Sequence, residues 1–167
     1  MDSKKAIDIL KQAILLEKRG YAFYCKVAEQ TSDPDIKNIF TVMANEETIH
    51  MKFLAEQFAN YDKTHEFMKV TLPDLANGAI SSLVLTEEIK TKIAVAGFEG
   101  AAIAAAIDME KKAIDIYSGQ AVAATDPNEK ALYTWLSGWE NSHLKILSEL
   151  DNELKEKIWF DNQFWPF

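Results

Sequence analysis

Cysteine is almost missing: Cys25 is the one thiol in 167 residues. That excludes a disulfide scaffold, zinc knuckles and thiolate-held iron centres. Glycine, with six residues, and proline, with four, are also scarce, which favours long helices over a turn-rich β fold. No apolar run reaches the length of a membrane span. The most apolar one, from Ile93 to Ile107, is too short and is interrupted by Glu99. The start, Met1-Asp-Ser-Lys-Lys, opens into polar amphipathic sequence with no apolar signal core. A soluble, cytoplasmic protein without a membrane partner is expected. Basic residues are in short supply as well: 18 Lys and Arg stand against 26 Asp and Glu, a formal net charge of −8. Phosphate contacts need clustered cations, so nucleic acid is not an expected partner. Acidity on this scale serves solubility; its sharper meaning is that some carboxylates face inward and bind cations.

What is present is a repeat. Sliding the sequence by 93 residues superposes its halves without a gap. Glu17 falls on Glu110, Tyr24 on Tyr117, Asp33-Pro34 on Asp126-Pro127, Glu47 on Glu140, His50 on His143 and Leu54 on Leu147. Such self-similarity marks a duplicated unit. Within the first copy Ala6, Ile7, Leu10, Ala13, Ile14, Glu17, Tyr21, Tyr24 and Ala28 recur at helical spacing on one face. Thr31-Ser-Asp-Pro34 ends that helix and starts another, with Asp33 as N-cap and Pro34 in the first turn. Ile36, Ile39, Phe40, Met43, Glu47, His50, Leu54 and Phe58 continue the pattern to about Tyr61. The second copy repeats the design with Asp126 and Pro127.

The expected fold is all-α: a four-helix bundle made of two duplicated hairpins, residues 3–61 and 93–157, joined by one long crossover over residues 62–92. Such a crossover can run the height of a bundle, as in ferritin-like folds. Short helices are expected within it near Pro73–Ala76 and Thr86–Lys90. Residues 158–167 hold two Trp and three Phe, and read as an aromatic tail covering an apolar surface or a subunit contact. The whole chain reads as a single domain.

Spacing then points to a site. Glu17 lies sixteen residues before Asp33 and Glu47 fourteen after it, and Glu110 and Glu140 stand in the same relation to Asp126. With a rise of about 1.5 Å per residue, each pair sits at one height, roughly 21–24 Å from its turn. His50 and His143 follow their glutamates by three residues, on the same helix face. Four carboxylates turned into a bundle core without compensation carry a desolvation cost of several kcal/mol each. Two divalent cations balance them and leave two neutral imidazoles as further ligands. A Glu from each of two helices and a Glu-x-x-His from each of the others is a di-metal carboxylate arrangement. Oxygen-rich ligation with imidazole suits iron or manganese, whereas structural zinc more often recruits thiolates.

The segments Ala13-Ile-Leu-Leu-Glu17-Lys-Arg-Gly-Tyr-Ala-Phe-Tyr24 and Phe40-Thr-Val-Met-Ala-Asn-Glu-Glu47-Thr-Ile-His50 resemble the rubrerythrin-type ferritin-like domain. Met109-Glu110 to Tyr117 and Glu140-Asn-Ser-His143 are similar to that family's second hairpin. The resemblance covers roughly residues 3–60 and 95–150. It implies a centre of two iron ions, replaceable by manganese or zinc, with Glu17, Glu47, His50, Glu110, Glu140 and His143 as ligands. It further implies that Tyr24 and Tyr117 hydrogen-bond to ligand carboxylates and orient them, and that the chain pairs as a homodimer.

Two departures stand out. The family's extra glutamate, three residues from the third-helix ligand, is replaced here by Ile107 or Ala113. The paired Cys-x-x-Cys motifs of a rubredoxin domain are also lacking, so electrons are expected from a separate, rubredoxin-like donor. The expected activity is reduction of hydrogen peroxide or oxygen. A ferroxidase or storage protein of the ferritin-like class, and a non-catalytic metal-binding helical module, are the alternatives. His65, in the crossover, has no glutamate at ligand spacing and is expected in solvent.

Overall fold

The computed structural model describes residues 3–69, 71–73 and 97–161, and the side chains of all of these except 3 and 157–161. Among the described residues four helices run in chain order: α1, Ser3–Gln30; α2, Pro34–Thr64; α3, Gly97–Ala123; and α4, Pro127–Asp161. No strand occurs among the described residues. The chain forms two hairpins, α1 with α2 and α3 with α4, in the four-helix arrangement the repeat called for. None of the described helices is long and apolar enough to cross a membrane. Helix α2 runs three residues beyond Tyr61 and α4 extends to Asp161, while the expected start of the second hairpin near residue 93 lies outside the described residues. The short helices expected near Pro73–Ala76 and Thr86–Lys90, and residues 162–167 of the aromatic tail, lie outside the described residues.

Both hairpin turns are set by Asp-Pro. The Asp33 carboxylate accepts from the backbone N–H groups of Asp35 (2.9 Å) and Ile36 (3.2 Å). Asp126 does the same for Asn128 (2.7 Å) and Glu129 (3.2 Å). Each satisfies two amides that a helix start leaves without a partner, and Pro34 and Pro127 open their helices at no cost in hydrogen bonds. Asp33→Ala is therefore expected to lower stability by about 1 kcal/mol, measurable as an earlier urea midpoint with an unchanged slope.

The buried apolar residues form two clusters. One holds Tyr24, Ile36, Phe40, Met43, Ile103 and Leu147 among others, and the second includes Leu10, Leu54, Tyr117, Leu132, Tyr133 and Trp139. A Cβ on Gly100 would fall 2.7 Å from Leu154 Cδ2, so any larger residue there would push the Leu154 side chain aside. Thr31 Oγ1 donates to the buried Glu99 (2.8 Å), tying the end of α1 to the start of α3. The crossover leaves α2 along α4: Gln57 exchanges two hydrogen bonds with the Met68 backbone (2.7 and 3.0 Å), and Trp135 Nε1 donates to the Pro73 carbonyl (2.9 Å).

One residue departs from the expected face. Tyr21 is exposed, because the inward positions of α1 step from Glu17 through Gly20 to Tyr24. Cys25 is half-buried at the edge of a cluster. His65 is exposed and ends α2 in the left-handed conformation (φ 59°), its N–H donating to the Tyr61 carbonyl.

Candidate metal centre

Between the two apolar clusters lies a polar layer. Glu17, Glu47, His50, Glu110, Glu140 and His143, the six side chains singled out by the repeat, are all buried there, with exposures of 3% or less. The basic neighbours Lys18, Arg19, Lys111 and Lys112 all face solvent. The six form two overlapping groups. Glu17, Glu47, His50 and Glu140 bring ligand atoms within 4.8 Å of one another, and so do Glu47, Glu110, Glu140 and His143. Glu47 and Glu140 belong to both.

The imidazoles present the same atom to the carboxylates. His50 Nδ1 lies 3.0 Å from Glu17 Oε2, 3.2 Å from Glu47 Oε2 and 3.2 Å from Glu140 Oε1. His143 Nδ1 lies 3.3 Å from Glu110 Oε1, 3.3 Å from Glu140 Oε2 and 3.6 Å from Glu47 Oε1. Glu140 thus turns one oxygen to each histidine, yet neither oxygen has a hydrogen-bond partner, although both are fully buried. Two buried carboxylate oxygens without a donor, each aimed at a cluster of ligand atoms, suit a cation beside each of them. A buried carboxylate with no donor is otherwise expensive.

Electrostatics say the same. Burial, reinforced by Glu140 and Glu17, pushes the Glu47 carboxyl well above its usual range. Burial and Glu140 raise Glu110 to about 7. Burial disfavours charge on His50 and His143, but the carboxylates around them prevail and raise both. Burial likewise works against Glu140, yet the two imidazoles hold its carboxyl low. Without metal, the layer is neutralised by protons where cations would serve. The donor set, four carboxylates and two imidazole nitrogens, fits two divalent first-row ions such as iron or manganese.

The tyrosines cross between hairpins. Tyr24 of α1 donates to Glu110 of α3, and Tyr117 of α3 donates to Glu17 of α1. Burial first, then the adjacent carboxylate, raises both phenols far above their ordinary range, so they stay protonated and remain donors. Hydrogen bonds of this kind fix the orientation of a ligand carboxylate.

A cavity of about 20 Å³ opens beside the layer between α1 and α3, lined by Leu16, Glu17, Gly20, Glu47, Met109, Glu110, Ala113 and Glu140. That is room for roughly one water-sized molecule. Gly20 makes this possible: a Cβ there would stand 3.2 Å from both Cδ and Oε1 of Glu47. Gly20→Ala favours the helix by close to 1 kcal/mol but crowds that carboxylate. The variant is expected to be no less stable without metal, yet to bind it about 10-fold more weakly, the lower end of what disturbing a ligand's neighbour costs. Calorimetric titration beside thermal melts separates the two effects.

Three residues escaped the sequence reading. Glu46 is 2% exposed, and its Oε2 accepts from Trp139 Nε1 at 2.6 Å and lies 2.9 Å from His143 Nε2. Trp135 and Trp139 pack edge-on against His50, with ring centroids 5.6 and 5.4 Å away. The signal for Glu46 was in the pattern: Ile39, Met43, Glu46, His50 and Leu54 step by three and four along one face of α2.

A helical bundle with two shared carboxylates and paired Glu-x-x-His motifs defines the ferritin-like class of carboxylate metal proteins. The rubrerythrin family model matches residues 8–151, and the chain belongs to that family. No curated protein and no solved structure matches it.

Proposed function

We propose that the chain is a di-iron oxidoreductase that reduces hydrogen peroxide or oxygen with electrons delivered by a separate protein. The observation that carries this reading is the sharing of Glu47 and Glu140 between two carboxylate–imidazole groups in one dry layer. Glu17 and His50 would complete one ion's ligands, and Glu110 and His143 the other's. Two such ions supply two electrons, the number that converts one peroxide and two protons into two waters.

The chain's own residues supply the setting. The apolar clusters on either side keep bulk water from the carboxylates, which strengthens every electrostatic interaction inside. Tyr24 and Tyr117 hold Glu110 and Glu17 in place. The small cavity beside the layer, with room for about one water-sized molecule, suits a very small oxidant. On α3 the neighbours of Glu110 one turn away are Ile107 and Ala113, so no carboxylate stands there to replace it when the charge of an ion changes. The same six side chains would then have to hold the ions before and after reduction.

The test is stopped-flow mixing of ferrous-loaded protein with peroxide. Near-ultraviolet absorption of the ferric form is expected to appear, with one peroxide consumed per two ferrous ions. Stoichiometric iron that peroxide leaves ferrous would overturn the reading.

A further inference from the structure

The 93-residue repeat carries every ligand of the first hairpin onto a ligand of the second, but it carries Glu46 onto Trp139. These two residues, which ought to be equivalent, are bonded to each other across the hairpins at 2.6 Å. The consequence falls unevenly on the histidines. His143 has a carboxylate oxygen 2.9 Å from its Nε2. His50 Nε2 is fully buried and has no hydrogen-bond partner; where symmetry would place a carboxylate, the edges of Trp135 and Trp139 stand instead.

From this asymmetry we infer that Glu46, fixed by Trp139, makes the two metal positions unequal, so that the ion at His143 binds first and more tightly than the ion at His50. The inference rests on the two-ion reading above and names a positioning couple for it. A carboxylate at Nε2 keeps a proton on that nitrogen, so the arriving ion meets an imidazole already committed to binding through Nδ1, the nitrogen that faces Glu110 and Glu140. It also makes the imidazole a stronger donor. At His50 the carboxylate partners all lie at Nδ1, which favours a proton on the very nitrogen an ion needs; the incoming ion must displace it, and the N–H then left at Nε2 is buried without a partner, its desolvation uncompensated. Trp139 serves both sides: its N–H holds the Glu46 oxygen at His143, and its ring occupies the place of a second carboxylate at His50.

The test is an anaerobic titration of the metal-free protein with Co(II), followed by calorimetry and by the visible bands of the ion. Wild type is expected to fill in two resolved steps. His143→Ala should abolish the tight step and His50→Ala should retain it. Glu46→Ala should weaken the tight step by roughly 10–100-fold and leave the weaker one in place. Glu46→Gln keeps an oxygen acceptor for both N–H donors, so it should preserve the order of filling, a rescue that a merely space-filling residue would not show. Circular dichroism of the metal-free variants confirms equal helix content, and Glu46→Gln carries the test if Glu46→Ala does not fold. Equal weakening of both steps in Glu46→Ala, an order of filling lost in Glu46→Gln, or a tight step that depends on His50 would overturn the inference while leaving the two-ion centre intact. Failure of wild type to bind cobalt stoichiometrically would overturn the centre itself.

Discussion

Glu140→Gln is expected to remove both ions, whereas Glu17→Gln and Glu110→Gln are each expected to remove one. Glu140 sends Oε1 toward His50 and Oε2 toward His143 (3.2 and 3.3 Å), and both oxygens lack any other partner. An amide in its place keeps the volume but loses the charge and one of the two acceptors. The loss in affinity should exceed the roughly 10–100-fold that removing an outer partner of a ligand costs. Glu17 and Glu110 each belong to one of the two groups only, so their variants leave the other group complete. Metal content after anaerobic equilibrium dialysis reads out two, one or none. One ion retained in Glu140→Gln would show that the carboxylate is not shared.

The second large effect is on stability and its dependence on pH. Glu110, ordinarily near 4.5, is raised by burial and by Glu140 to about 7. Between these values the folded metal-free chain holds a proton that the unfolded chain has released. The stability linked to that proton is complete below about 4.5 and is lost as pH rises through about 7, a contribution on the order of 3 kcal/mol. Glu47 shifts in the same direction, and the raised His50 and His143 also shed stabilising protons as pH rises. Glu140 acts oppositely, since its lowered carboxyl loses stability only on the acid side. The metal-free protein should therefore melt at progressively lower temperature from pH 5 to pH 8. Cations take the place of those protons, and their binding releases protons, so the gain in melting temperature from saturating metal should widen over the same range. A gain independent of pH would contradict this.

Much of this was legible in the sequence because the signals were local and repeated. Asp-Pro at each turn is a short-range capping signal, and both aspartates accept the expected amides. Glu17, Glu47, His50 and their counterparts share a helical face and a distance from a turn, so helix geometry alone brought them level. What sequence left open depends on how the hairpins meet. Nothing local says that Tyr24 reaches Glu110 and Tyr117 reaches Glu17, each on the opposite hairpin. The Glu46–Trp139 bond is of the same kind. There the duplication was a distraction, since the pair is visible only as a mismatch between copies. Tyr21 misled for a simpler reason. A bulky aromatic drew the face toward itself, while the inward position belongs to Gly20, whose missing side chain is what leaves room for Glu47.

The most direct measurement is the stoichiometry of ferrous iron bound anaerobically by the metal-free chain. Saturation at two ions per chain, falling to none when Glu47 and Glu140 are both replaced by glutamine, is the expected result. A wild-type chain that stays folded and binds no iron, or binds it equally well without those two carboxylates, would show that protons alone keep this acidic layer buried.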